Sequence, residues 1–175
     1  MTLEVWAAVI GLAIIVPAVL LFNRLVAARN LARQGYADID VQLKRRADLV
    51  PPLVEAVKGY AAYEKALLTA VAEARTTASA VASTHAAAAE RFGAERSLGE
   101  GLKQLVALAE AYPNLKADAS FRDLSARLVA VEDQLQYARR FYNGAVKEYV
   151  TRLESFPDVL IARTFGFRPM PFFEV

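Results

Sequence analysis

From Leu3 to Phe22 the chain is apolar for 20 residues, with a single charge, Glu4, at its outer end. As a helix rising about 1.5 Å per residue, such a run covers roughly the 30 Å of a bilayer's hydrocarbon core. Trp6 stands where an interfacial aromatic would, and Pro17 predicts a bend of the kind membrane helices tolerate. Gly11 alone makes no small-residue contact motif. A cleaved signal would carry a basic start, a shorter apolar run and a small-residue cleavage site. Nothing basic precedes this run except the amino terminus, and Phe22-Asn23-Arg24 is a poor cleavage site. The pattern predicts an uncleaved anchor, residues 1–23, in front of a domain of residues 24–175.

Beyond the anchor no window sustains two-residue alternation, whereas helical spacing recurs. Ala28, Ala32, Tyr36, Ile39, Leu43 and Val50 follow at threes, fours and one seven. They predict that the first helix continues from the bilayer to about Asp48, with Pro51-Pro52 as a break or sharp kink. A second stripe joins Leu53, Val57, Tyr60, Leu67, Val71 and Ala74. From Ala70 to Glu90 the chain is rich in Ala, Ser and Thr, which permit a helix but give it little to bury. The second helix is therefore expected to fade there, with a loop around Phe92 to Gly101. Leu98, Leu102, Leu105, Ala109 and Tyr112 predict a third helix stopped by Pro113.

The fourth stripe is the clearest. Phe121, Leu128, Leu135, Tyr142, Tyr149 and Phe156 are spaced by seven. Leu124, Val131, Ala138 and Ala145 interleave with them until Arg152, a five-heptad seam. Ser120 is the expected N-cap, with Asp123 close to a capping box and Ala119 and Leu124 as a staple. Pro157 ends the helix, and Pro157 to Phe165 predicts a short one capped by Gly166. The expected fold is all-α: an N-terminal transmembrane helix followed by an antiparallel four-helix bundle. A coiled-coil oligomer through the fourth helix is the rival arrangement.

Composition narrows the chemistry. Apolar residues make up 55% of the 175, and the net charge of +2 gives no case for nucleic acid. The absence of cysteine excludes disulfides, zinc-thiolate sites and thiol catalysis. His85 is the sole histidine, read as a surface residue, whereas a di-metal carboxylate bundle needs a Glu-x-x-His from each of two helices. No catalytic triad and no phosphate-cradling glycine loop is present. Glu55, Glu64, Glu73 and Glu132 are the only raw material for paired-carboxylate chemistry. We therefore expect no catalytic residues, no metal, no cofactor and no small-molecule substrate.

The charges suggest surfaces instead. Arg24, Arg29 and Arg33, then Lys44, Arg45 and Arg46, follow the span, while its N-terminal flank offers only Glu4. The positive-inside rule then puts the N-terminus outside and the domain in the cytoplasm. These six cations are candidate contacts for anionic headgroups or an acidic partner, set against the plainer reading of a solvated helix face. Within the cluster from Asp38 to Asp48, Asp40 and Lys44 stand four apart and are expected to pair. The stretch from Phe165 to Phe173 is too apolar for an idle tail. Its Phe165, Phe167, Phe172 and Phe173 either mark a partner or membrane contact or fold back on the bundle. The pairs Tyr60/Tyr63 and Phe141/Tyr142 are expected as core and rim.

Three ordered blocks carry a likeness. The first runs from Asp38-Ile39-Asp40-Val41-Gln42-Leu43-Lys44-Arg45-Arg46 through Asp48-Leu49-Val50-Pro51 to Val57-Lys58-Gly59-Tyr60. The second is Ala109-Glu110-Ala111-Tyr112-Pro113-Asn114-Leu115-Lys116-Ala117. The third runs from Ala138-Arg139-Arg140-Phe141-Tyr142-Asn143 to Phe156-Pro157, Phe165-Gly166-Phe167 and Phe172-Phe173-Glu174. Together, over nearly the whole chain from about Phe22, they closely resemble the LemA family. Gly35-Tyr36, Pro52 and Tyr149-Val150 depart from its usual residues. The resemblance implies a bacterial inner-membrane protein with a short external N-terminus and an antiparallel four-helix cytoplasmic domain. It implies no reaction, and the association of some relatives with membrane organelles or envelope maintenance suggests scaffolding. The expected function is a non-enzymatic anchored scaffold or adaptor that forms homo-oligomers or binds a membrane-protein partner. The alternative is a lipid-binding or membrane-shaping module.

Overall fold

The computed structural model describes residues 2–84 and 88–173; His85, and Glu174 of the third block, lie outside the described residues. Helix is the dominant structure, and no strand occurs among the described residues. In order come α1 (Thr2–Lys58), α2 (Lys65–Ser83), α3 (Ala88–Leu108), a 3₁₀ turn (Ala109–Ala111), α4 (Pro113–Ala117), α5 (Ala119–Glu154) and α6 (Asp158–Thr164).

Three expectations are corrected by these boundaries. Of the break or kink expected at Pro51-Pro52, the break is absent, because α1 continues to Lys58. Proline costs a helix its own amide donor, which orphans the carbonyl four residues back. At Pro51 that carbonyl belongs to Ala47, and Arg75 of α2 donates to it from Nε at 2.9 Å. Second, α2 does not fade but stays helical to Ser83, with Leu68, Val71 and Ala78 buried. Third, the loop expected around Phe92 to Gly101 is the middle of α3. Its glycines permit close approach: a Cβ on Gly101 would meet Val71 Cγ2 at 3.1 Å, and one on Gly99 would meet Arg46 Nη1 at 3.2 Å. Helix α3 stops at Leu108, so Ala109 and Tyr112 fall beyond it, and Pro113 opens α4 at the position where its missing N–H costs nothing.

The seam of α5 is buried as its spacing requires from Phe121 through Leu128, Leu135 and Tyr142 to Tyr149. It ends one heptad early: Phe156 lies past the helix and is 80% exposed. The N-cap also moves, from Ser120 to Asp118, whose Oδ1 accepts the Phe121 amide at 2.9 Å. The Gly166 cap is present: with φ at 69°, Gly166 lets the Phe167 amide reach the Ala162 carbonyl at 3.0 Å.

The chain divides into two compact units. One takes α1 as far as Ala37 together with Arg140–Phe172. Its buried residues include Leu25, Ala28 and Ala32 of α1, Tyr142, Ala145, Val146 and Tyr149 of α5, and Ala162 of α6. Gly35 belongs here too, since a Cβ on it would meet the Tyr142 Cα at 3.1 Å. Over the first part of α1 the large apolar side chains, Trp6 to Leu20, are exposed. A helix apolar on all sides and covered by no protein is suited to lipid, and α1 is long and apolar enough to cross a membrane.

The other unit takes Asp38–Arg139 and the residues from Phe173. A single core joins Val50, Leu53 and Val57 of α1, Leu68 and Val71 of α2, Leu98, Leu102 and Leu105 of α3, Leu115 of α4, and Phe121 and Leu128 of α5.

Candidate functional site

The ten residues singled out in the sequence divide between the units. In the first, Arg24 and Arg33 are exposed on α1. Arg29 is half-buried, with its guanidinium 5.0 Å from the centre of the Phe167 ring. Phe22, the last residue of the apolar run, meets Phe165 and Phe167 edge-on, at centroid distances of 5.0 and 5.6 Å. Phe165 nevertheless remains 61% exposed. Residues 168–172 run on without helix and are tied to α5 by two tyrosines. Tyr142 donates its hydroxyl to the Pro171 carbonyl at 2.6 Å, and Tyr149 to the Arg168 carbonyl at 3.1 Å. Phe172 stays exposed on this segment. Burial pushes the Tyr142 hydroxyl up to about 12, with Tyr36 beside it adding to the push.

In the second unit Lys44 and Arg45 are exposed, but Arg46 is not. Arg46 is 4% exposed and lies inside the helical core. Its Nη2 donates to the Glu95 carboxylate at 2.5 Å and to the Glu95 carbonyl at 2.8 Å, while Nη1 donates to Glu132 at 3.1 Å. Arg46 is therefore withdrawn from the proposed surface: a guanidinium at an inward position must find carboxylates, because an unpaired buried charge is costly. Sequence reasoning missed this tie, though a signal existed. The seven-residue gap between Leu43 and Val50 in the α1 stripe has Arg46 at its inward step. Glu95 likewise stands on the buried face of α3, between Phe92 and Leu98.

Neighbouring groups extend the tie. Arg139 is half-buried, its charged form disfavoured first by burial and then by the Arg46 charge. Its guanidinium lies 5.0 Å from the centre of the Phe173 ring, which also packs on Phe92 at 4.1 Å. Phe173 is thus core, 3% exposed, and not a contact residue. Beside the tie is a polar cleft of about 300 Å³ lined by Arg46, Glu95, Arg96, Lys103, Glu132 and Arg139. A second groove of about 400 Å³ runs past Ala47, Arg75, Ala78 and Ala82. On its rim the partner of Asp40 is Arg91, at 2.5 Å, and not Lys44. Asp40 is pushed up by burial and drawn back by the Arg91 charge.

Three of the four carboxylates considered for acid–base chemistry are engaged by other groups. Glu132 serves Arg46, Glu64 accepts the Tyr112 hydroxyl at 3.1 Å, and Glu55 pairs with Lys58 at 2.9 Å. Tyr60 donates its hydroxyl to Asp118 at 3.0 Å but is not core, and Tyr63 is exposed.

The arrangement defines a helical protein with one candidate membrane-crossing helix and a core tied by buried charge. Residues 35–175 match the family model of LemA, and the chain belongs to the LemA family. Over 83 residues it is 28% identical to magnetosome proteins MamQ 1 and MamQ 2 of Paramagnetospirillum magneticum. It is 26% identical over 82 residues to magnetosome protein MamQ of Magnetospirillum gryphiswaldense. The matched stretch is 47% of this chain and 30% of each relative, so the chain spans under a third of the curated relatives it matches.

Proposed function

We propose that the protein is a non-enzymatic, membrane-anchored scaffold or adaptor. Residues 1–23 are the anchor and 24–175 the LemA-like domain, its long helices packed as an antiparallel four-helix bundle. It sits in the bacterial inner membrane as a single-pass protein, N-terminus outside and domain in the cytoplasm. The observation that carries the reading is how the ionisable groups are employed. The buried Arg46 with Glu95 and the partly exposed Glu132 is a structural tie between α1, α3 and α5. Surfaces are left for association. The inward seam of α5 is occupied within the chain, which disfavours a coiled-coil oligomer through it. The outer side of the same helix leaves Val129 and Tyr137 more than half exposed, a surface for a second copy or a membrane-protein partner. Kinship with proteins named for the magnetosome supports a role in building a larger structure.

The native mass after gentle detergent extraction tests this. A multiple of 19.1 kDa means self-assembly, and a mass that needs other chains names the partner. A bare monomer sinks the scaffold reading and moves a lipid-binding or membrane-shaping role to first place. That second reading draws on Arg24, Arg33, Lys44 and Arg45, all exposed. It requires that changing Arg24 and Arg33 to Gln reduce the number of anionic lipids retained on extraction.

A further inference from the structure

The reading above leaves one arrangement unused. Phe22 closes the apolar run of α1, and the ring that covers it from the other end of the chain is Phe165, 5.0 Å away and edge-on. Phe167 packs on the same ring at 5.6 Å and reaches along α1 to Arg29. The turn after α6 is therefore held at the level where α1 leaves its apolar stretch. Its position is fixed and not incidental, because the Gly166 cap and the Tyr149 bond to Arg168 clamp it on both sides.

What the turn exposes suits a bilayer boundary. Phe165 is 61% exposed although it packs on Phe22, and Leu160 on α6 just before it is 57% exposed. Arg24, two residues after Phe22, and Arg163 and Arg168, on either side of Phe165 in sequence, are exposed as well. Aromatic side chains favour the headgroup level, where an apolar ring and a wet surround are both available. Arginine stems lie along apolar surface while their charges reach the headgroups.

We propose that the α6 turn is a second membrane contact, lying in the bilayer interface beside the α1 span. Phe165 and Leu160 enter the interfacial layer, and Arg24, Arg163 and Arg168 face anionic headgroups. The proposal rests on the reading of α1 as a membrane span. The compact unit that carries both contacts is then gripped at two points, which fixes its tilt over the membrane instead of leaving it to swivel on one helix.

The chain contains a single tryptophan, Trp6, and this makes the test clean. The full chain is placed in nanodiscs whose lipids carry bromine near the carbonyl end of their chains. Quenching of Trp6 in the unaltered protein tests the span by itself. A Trp6→Phe, Phe165→Trp variant then reports the turn alone. The expected result is a blue-shifted emission that falls with brominated lipid and ignores iodide in the water. Emission quenched by iodide but not by bromine overturns the proposal, and emission quenched by neither means that protein covers the turn and overturns it too. A Trp6→Phe, Leu160→Trp variant repeats the measurement if the first substitution disturbs the Phe22 packing. Unquenched Trp6 defeats the span reading; a quenched Trp6 with an unquenched position 165 defeats only this proposal.

Discussion

Tyr142 and Tyr149 stand one heptad apart on α5 and hold two carbonyls three residues apart, Pro171 and Arg168, in reversed order. The register is dimensional. Seven helical residues advance about 10.5 Å at 1.5 Å each, and three extended residues cover about 10 Å. Residues 168–171 therefore lie along α5 as a strap, with both buried hydroxyls satisfied without distortion. Removing either hydroxyl should cost about 1 kcal/mol, the net worth of a typical hydrogen bond, more where a carbonyl is left unsolvated. We expect the Tyr142→Phe, Tyr149→Phe pair to leave helix content unchanged while exposing the strap to protease and to amide hydrogen exchange. Equal protection in variant and parent would mean that apolar packing, not these bonds, holds the strap.

The same hydroxyl gives a pH dependence of defined sign. In the folded chain Tyr142 titrates near 12, against an ordinary value of 10. A raised folded value means that the folded state keeps its proton longer than the unfolded chain. The stabilisation is therefore complete below about pH 10 and lost as pH rises toward about 12. Tyr149 shifts in the same direction through burial, opposed by the charges of Arg29 and Arg33. Thermal midpoints measured across this alkaline window should fall more steeply for the parent than for Tyr142→Phe. Parallel curves would rule out Tyr142 as the source.

Arg46 is the residue on which stability should depend most. Truncating it to Met leaves Glu95, at 7% side-chain exposure, as a buried carboxylate without its cation. Breaking such a pair from one side costs about 3–5 kcal/mol, whereas replacing both partners by apolar residues is often close to neutral. Glu132 is less affected because its side chain is 36% exposed and can be rehydrated. Denaturant unfolding of Arg46→Met should show the full loss, and Arg46→Met with Glu95→Leu should recover much of it. A double variant no better than the single one would mean that the guanidinium fills space rather than balances charge.

How far the sequence spoke depends on which signal each element carried. The α5 seam was legible because large side chains at Phe121, Leu128 and Leu135 recur with the heptad and are buried with it. The end of α2 and the first half of α3 are not legible because alanine and glycine carry little periodic apolar signal, and the value of Gly99 and Gly101 is close approach. The donor that meets the Ala47 carbonyl freed by Pro51 is Arg75, 28 residues away in sequence. No local rule can anticipate such a donor. The charge of Arg46 points to the surface, although its place in the α1 stripe is inward. Of the ten candidate residues, Arg46 and Phe173 prove to be core, and the strap's tie to α5 was visible only in space.

Asp118 and Ser120 offer a direct contrast in capping. Asp118 accepts the Phe121 amide and the Tyr60 hydroxyl, and these bonds, the amide first, hold its carboxyl below the usual carboxylate range. A lowered folded value stabilises above the ordinary 3.8 and is lost as pH falls through the folded one. Asp118→Ala should therefore lower the thermal midpoint at neutral pH and lose its effect in acid. Ser120→Ala should change nothing, and the opposite ranking would return the cap to Ser120.

Glycine substitutions separate packing from propensity within single helices. Gly35 lies on α1 where a Cβ would meet the Tyr142 Cα at 3.1 Å and the Phe141 ring at 3.1 Å. One of those neighbours is helix backbone and cannot swing aside, so α1 and α5 would have to separate locally. Overpacking of this kind costs about 1–3 kcal/mol. Gly93 on α3 has nothing within 4 Å of an added Cβ and sits in a helix interior. There alanine should gain about 0.5–1 kcal/mol, because glycine loses more backbone entropy on folding. Far-UV circular dichroism melts of Gly35→Ala and Gly93→Ala should thus move in opposite directions from the parent. If both rise, helix propensity outweighs the α1–α5 contact at Gly35. If both fall, Gly93 meets a neighbour that its open surroundings do not show.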